Sequence, residues 1–274
     1  MEYGIFISNI RTMPTDPRSV CAGWEHLLPP APLAAVYFGS EFCIDLLPVA
    51  ETVIHLCRWA RDTGLEAVLL TPVVTPDGLS RIEHLLGELA ASGYRPAVVF
   101  NDWGVLNLLR RSCPEFRRRA GRLMNRGLRD PRLPEGKSTG VDGTHTGRGR
   151  LRSLLLQFGV EALETDPDPA VSYLGDKVAG LQRVLHFPYL FTATGRNCLV
   201  KAEQAPSPDA CFTKGLGLPC AGACHGRWHE VRRADCERPL WRSGNTIFHE
   251  VSRAAAGAQL ALADRVVLYE RPTA

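Results

Sequence analysis

Five of the chain's nine cysteines fall within 39 residues: Cys198, Cys211, Cys220, Cys224 and Cys236. Cys220-Ala221-Gly222-Ala223-Cys224 is a tight C-x3-C pair in small, polar surroundings that do not resemble a core pattern. Thiolates are soft ligands that bind zinc, copper or iron–sulfur clusters. Zinc sites usually draw on paired knuckles with two to four residues between the ligands. Here only one tight pair exists, and the other cysteines stand far apart. Wide, irregular spacing suits a cuboidal cluster held by loops at one end of a scaffold. Three readings stay open on spacing alone: an iron–sulfur cluster, a zinc site completed by His225 or His229, and packed or free thiols. Cys57 lies in an apolar helical pattern and reads as a core thiol. Asp235-Cys236-Glu237-Arg238 reads as an exposed turn.

Four further residues are candidates for catalysis. Asn101 and Asp102 end an apolar strand pattern, where a barrel enzyme places its reacting groups. The same two residue types are also good helix caps. His186 stands beside Pro188 and Tyr189 at another strand end. Arg196 lies two residues before Cys198 and is placed to bind an anion or to form a structural salt bridge. No G-x-S-x-G or H-E-x-x-H motif occurs.

The elements that must carry these residues alternate. Short apolar runs at Tyr3–Ser8, Leu33–Gly39, Leu65–Thr71 and Arg95–Phe100 read as strands. Pro48–Thr63, Gly78–Ser92 and Trp103–Arg111 show helical spacing between and after them. Leu151–Glu164 reads as helix into strand, Arg183–Tyr189 as a strand, and Val251–Leu262 as an Ala-rich helix before a last strand at Arg265–Tyr269. Such alternation predicts βαβ units and a parallel sheet. The expected fold is α/β, a single TIM-like (β/α) barrel spanning residues 1–274. Residues 113–150 are expected to be a basic helix and irregular loop insertion, and residues 195–245 a cysteine-rich, cluster-binding loop segment.

Composition narrows the function classes. The chain has 274 residues, 45% hydrophobic and 22% charged, which excludes wholesale disorder. No stretch is long and apolar enough for a membrane span, and the first residues read as a strand, not a secretion signal. The expectation is a cytoplasmic protein, where clustered cysteines point to metal or catalysis before disulfides. Charge is uneven. Arg110–Arg152 holds twelve arginines, one lysine and four acids, a net +9 in a chain whose total is +3. A phosphate-binding face is one reading of that segment, and a solvated surface is the other.

Several segments, in order, resemble the collagenase-like peptidase family U thirty-two, and most closely its iron–sulfur branch of the UbiV type, active in oxygen-independent ubiquinone synthesis. Val36-Tyr37-Phe38-Gly39-Ser40-Glu41-Phe42-Cys43 resembles a strand end of that family. Asn101-Asp102-Trp103-Gly104-Val105-Leu106-Asn107-Leu108 resembles its step after a later strand. Gly195-Arg196-Asn197-Cys198, Cys220-x3-Cys224 with Gly226-Arg227-Trp228, Arg242-Ser243-Gly244-Asn245, and Asp264–Leu268 complete the likeness. The match departs in two places. Twenty-one residues separate Cys198 from Cys220, with Cys211 among them, and Arg110–Arg150 does not follow the pattern.

The resemblance implies a barrel with a 4Fe–4S cluster at its mouth. The ligands carried over are Cys43, Cys198, Cys220 and Cys224, with Cys211 the rival for one place. It implies a part in oxygen-independent hydroxylation of an aromatic or nucleobase substrate, in a heterodimer with a related family member. The alternatives are a non-catalytic metal-binding or RNA-binding subunit, and the peptidase of the family's name.

Overall fold

The computed structural model describes residues 1–7, 16–17, 19, 24, 28–124, 130–132, 150–167, 180–196, 198–202, 220, 222 and 224–273. With strands numbered along the chain, eight of them close a parallel barrel: β1 (Glu2–Phe6), β2 (Leu33–Gly39), β3 (Glu66–Leu70), β4 (Ala97–Phe100), β5 (Arg118–Ala120), β6 (Val160–Thr165), β7 (Gln182–Phe187) and β12 (Arg265–Leu268). β12 pairs with both β7 and β1, with Val266 opposite Leu185 and Tyr3, which completes the circle. The strands are near-continuous apolar runs because helices cover the outside and side chains fill the inside. All four residues of β4 are buried. The fold is the expected TIM-like barrel.

The outer helices follow their sequence signals. α1 (Ala50–Asp62) buries Val53, Leu56, Cys57 and Ala60, one face at i, i+3, i+4 and i+7. α2 (Pro76–Ala91) starts with proline in its first turn, and the Thr75 side chain accepts from the Gly78 amide at 3.3 Å. α3 (Trp103–Arg111) buries Val105, Leu106, Leu108 and Leu109. α4 (Arg150–Gln157) leads into β6, α5 (Leu199–Ala202) follows Cys198, and α6 (Arg253–Leu262) is capped by Ser252. Among the described residues no helix is long and apolar enough to cross a membrane.

Two parts differ from expectation. The basic helix expected from residue 113 is, over Arg118–Ala120, the short barrel strand β5, followed by a 3-10 turn at Arg122–Met124. Strand alternation turns Arg119 inward, where Glu66 and Glu164 meet its guanidinium. Arg117 pairs with Glu66 and Glu161, and Arg118 donates to two backbone carbonyls, Phe158 O and Pro114 O. Arg119 is thus engaged inside the barrel, while Arg117 stays half exposed beside its two carboxylates.

The second difference lies in the segment expected to be loops. It contains strands of a four-stranded antiparallel sheet, in the order β8 (Tyr189–Thr194), β11 (Thr246–Glu250), β10 (Cys236–Ser243), β9 (His229–Arg233). The sheet is inserted between β7 and α6. Phe191 of β8 and Phe248 of β11 pack with Phe42 from the β2 loop, joined by Leu46, Leu123, Tyr189 and Trp241. This apolar layer joins the small sheet to the loop that follows β2.

Candidate functional site

The loop after β2 is built for a sharp change of direction. Gly39 sits at φ +105°, and a Cβ there would come within 2.4 Å of the Leu70 carbonyl oxygen, so only glycine fits. Beyond it the Ser40 hydroxyl accepts from the Cys43 amide at 3.1 Å. Cys43 then stands at the start of a 3-10 turn, Ile44–Leu46, and its carbonyl accepts from the Leu46 amide at 3.2 Å.

Cys198 stands in the same relation to α5. The Val200 and Lys201 amides lie near its sulfur and favour its charged form. Cys220 accepts from the Gly222 amide at 3.4 Å. A following backbone N–H is thus hydrogen-bonded to sulfur at Cys220, and following amides lie near the sulfurs of Cys43 and Cys198. Such donors favour the charged thiolate, which is the ligating form.

The four cysteines of the expected ligand set come into one place. Cys224 interacts with the Cys198 sulfur, and it feels the charges of Cys43, Cys198 and Cys220. Cys43 feels Cys198 in turn. The interaction with Cys224 holds Cys198 down to about 6, and the interaction with Cys198 pushes Cys224 far up. Burial raises Cys43. Cys224 is itself buried, and the other three are half-buried.

The spacing of this group bears on what it fits. Among the described residues no three His, Cys, Asp or Glu side chains are set to hold one metal ion. A zinc ion with bonds of about 2.3 Å would draw its sulfurs to roughly 3.8 Å from one another. All four side chains are thiols, the soft donors that iron–sulfur clusters take.

Long-range contacts hold the loops together. Asn245, in the turn between β10 and β11, donates from one amide nitrogen to Phe42 O at 2.7 Å and to Gly195 O at 2.6 Å. Those carbonyls precede Cys43 and Cys198 in their loops. Lys201 of α5 reaches Asp45 at 3.2 Å and ties the same two loops again.

Beneath the small sheet, the carboxyl ends of the barrel strands carry a buried polar layer. The Arg122 Nε donates to Glu41 at 2.7 Å, its Nη1 to Asp166 and to Tyr189 O at 3.2 Å each, and its Nη2 to Glu41. Asn101 is 3% exposed. It donates to Thr71 O at 2.9 Å and accepts from the Leu123 amide at 2.9 Å. A Cβ at Gly121 would lie 2.2 Å from the Asn101 side-chain oxygen, so that neighbour must be glycine.

Deeper in the barrel His186 is fully buried. Its Nε2 lies 2.8 Å from Glu164 and its Nδ1 2.7 Å from the Tyr269 hydroxyl. Burial pushes the imidazole down to about 3 and Glu164 up to about 7. At neutral pH the imidazole carries no charge.

The candidate residues thus separate. Cys43, Cys198, Cys220 and Cys224 are brought together. Asn101 and His186 lie in the buried interior. The Asp102 carboxylate caps α3, accepting from the Gly104 amide at 2.6 Å. Arg196 is exposed. His225 and His229 are exposed as well. Cys236 is buried in β10 instead of sitting in an exposed turn, with its sulfur 3.5 Å from Pro131 O. Cys21 and Cys211, the rival ligand, lie outside the described residues.

Sequence reasoning missed Glu41, Arg122, Glu164, Asp166 and the role of Asn245. Charged residues at barrel strand ends were the available signal for the first four. Nothing local marked Asn245 beyond its turn setting.

No family model matches the chain, and no curated protein matches it. Among solved structures it is similar to the U32 peptidase Mk0906, at 12% identity and a TM-score of 0.46, over 99% of this chain and 93% of that one. It is also similar to the spore cortex-lytic enzyme SleL of Bacillus megaterium QM B1551, at 8% identity and a TM-score of 0.41, over 98% of this chain and 70% of that one.

Proposed function

We propose that the chain is an iron–sulfur protein of the U thirty-two type, nearest its UbiV-like branch. In this reading it takes part in oxygen-independent hydroxylation of an aromatic or nucleobase substrate, in the cytoplasm, with a related chain as partner. The observation that carries the reading is the approach of Cys43, Cys198, Cys220 and Cys224 to one another from distant loops, with the Gly222 amide donating to the Cys220 sulfur. Those four residues would hold a 4Fe–4S cluster, which supplies one-electron transfer or a binding place for an oxygen-bearing group.

The protein's own residues do the rest. Amide donors favour the ligating thiolates. Asn245 and the Lys201–Asp45 pair hold the two loops at a fixed separation. Phe42, Phe191 and Phe248 form an apolar layer behind the Cys43 loop. Arg122, bonded to Glu41 and Asp166, locks the strand end from which that loop departs.

The test is anaerobic purification followed by iron, sulfide and zinc analysis with a visible spectrum. About four irons and four sulfides per chain are expected for one 4Fe–4S cluster. Cys220→Ala and Cys224→Ala should each abolish the cluster absorbance. One zinc without iron would replace this reading with a structural metal site, and full iron content in both variants would refute the ligand set.

A further inference from the structure

Arg242 lies on β10, where its neighbour Trp241 turns toward the aromatic layer and Arg242 toward the other face. Its Nε donates to Gly244 O at 3.3 Å, in the same turn whose Asn245 clamps the Cys43 and Cys198 loops. Its Nη2 is buried without any hydrogen-bond partner. A guanidinium nitrogen removed from water with no acceptor is costly. The side chain is within electrostatic reach of the Cys198 sulfur.

A second cation near the thiols is differently placed. Lys201 is 3.2 Å from Asp45, and its charge is offset there. Arg242 makes no ion pair among the described residues. Its charge is permanent at any working pH, and it is left to act on whatever occupies the thiol site.

We propose that Arg242 is the counter-charge of the four-thiol site and raises the reduction potential of the iron–sulfur cluster held there. This rests on the iron–sulfur reading given above. The physical reason is Coulombic. Reduction adds one electron to a site already made negative by four thiolates, with no bond broken. A fixed positive charge nearby stabilises the reduced state more than the oxidised one, and partial burial strengthens the effect. Arg242 is therefore a positioning residue for charge, acting through the site and not on a substrate.

The experiment is an anaerobic reductive titration with dithionite and redox mediators, followed by visible absorbance, on wild type, Arg242→Gln and Arg242→Lys. In Arg242→Gln the ratio of reduced to oxidised protein at a fixed potential should fall about tenfold, which is ~59 mV for a one-electron couple. Arg242→Lys keeps the charge and should stay near wild type. The gap between Gln and Lys variants should persist at about 1 M salt, because a partly buried pair is screened much less than an exposed one, and a gap that vanishes there would overturn the half-buried placement of the charge.

A Gln variant that titrates with wild type overturns the proposal. So does a Lys variant that shifts as far as the Gln variant, because geometry and not charge would then be responsible. If Arg242→Gln retains no iron, Arg242→Lys decides: retention at the wild-type potential supports the counter-charge, and loss of iron there too refutes it. Wild-type protein without iron and sulfide would sink the iron–sulfur reading itself. Loaded wild type with unshifted variants would sink this inference alone.

Discussion

Replacing Glu164 by glutamine should change how stability depends on pH, in a direction set by the pair it forms with His186. Both residues are fully buried, and Glu164 lies 2.8 Å from the imidazole Nε2. Burial raises Glu164 from 4.5 to about 7 and lowers His186 from 6.5 to about 3. A carboxyl raised in this way binds its proton more tightly folded than unfolded. Its contribution is fully present below about pH 4.5 and is lost as pH rises through 7. The depressed histidine runs the other way, its contribution present above about pH 6.5 and lost as pH falls toward 3.

Between pH 4.5 and 6.5 the folded pair holds one proton on Glu164, and the unfolded chain holds one on the histidine. The counts match, so the wild-type pair adds almost no slope in that window. Glutamine keeps the shape and accepts from Nε2 but cannot titrate. The difference in stability, variant minus wild type, should therefore climb with pH between 4.5 and 7. At 1.36 kcal/mol per unit over 2.5 units the climb is about 3 kcal/mol. Urea unfolding of both proteins at half-unit steps from pH 4.5 to 7.5 reads it directly, and unaltered urea slopes would show that compactness is unchanged. Curves that stay parallel across the window would refute the burial argument.

Three further outcomes follow from the contacts. Asn245→Ala removes both amide bonds that clamp the Cys43 and Cys198 loops; it should cost about 1–3 kcal/mol and speed loss of iron to a chelator, while an unchanged release rate would remove the clamp from the account. Arg122→Met strips Glu41 and Asp166 of their buried cation and should destabilise by about 3–5 kcal/mol, read by thermal unfolding. Asp102→Ala loses a helix cap worth about 1 kcal/mol and should leave iron content intact; loss of iron with no loss of stability would reopen a functional role for that carboxylate.

Much of the barrel was legible in the sequence because parallel strands buried on both faces read as apolar runs, and the amphipathic helices between them carry their own stop and start signals. Leu33–Gly39 and Ala97–Phe100 are such strands, and Thr75 and Asp102 are such caps. The chemistry of the four thiols was legible too, since residue type alone makes a sulfur a soft ligand.

Other features were decided only by the tertiary structure. β5 has just three residues, two of them arginines, and local pattern cannot distinguish it from a basic helix. It is a strand because β4 and β6 pair with it and because Glu66 and Glu164 receive Arg119 inside the barrel. The small sheet was hidden for the same reason: His229–Arg233 is mostly polar and exposed, and its pairing with β10 makes it a strand. The histidine at position 186 was visible, but its neutral state was not, because that depends on the burial supplied by surrounding strands. Residue types set what chemistry is available to this chain. Contacts between residues far apart in sequence, such as Asn245 with Phe42 and Gly195, decide which of those groups share a site, because no local propensity encodes such a distance.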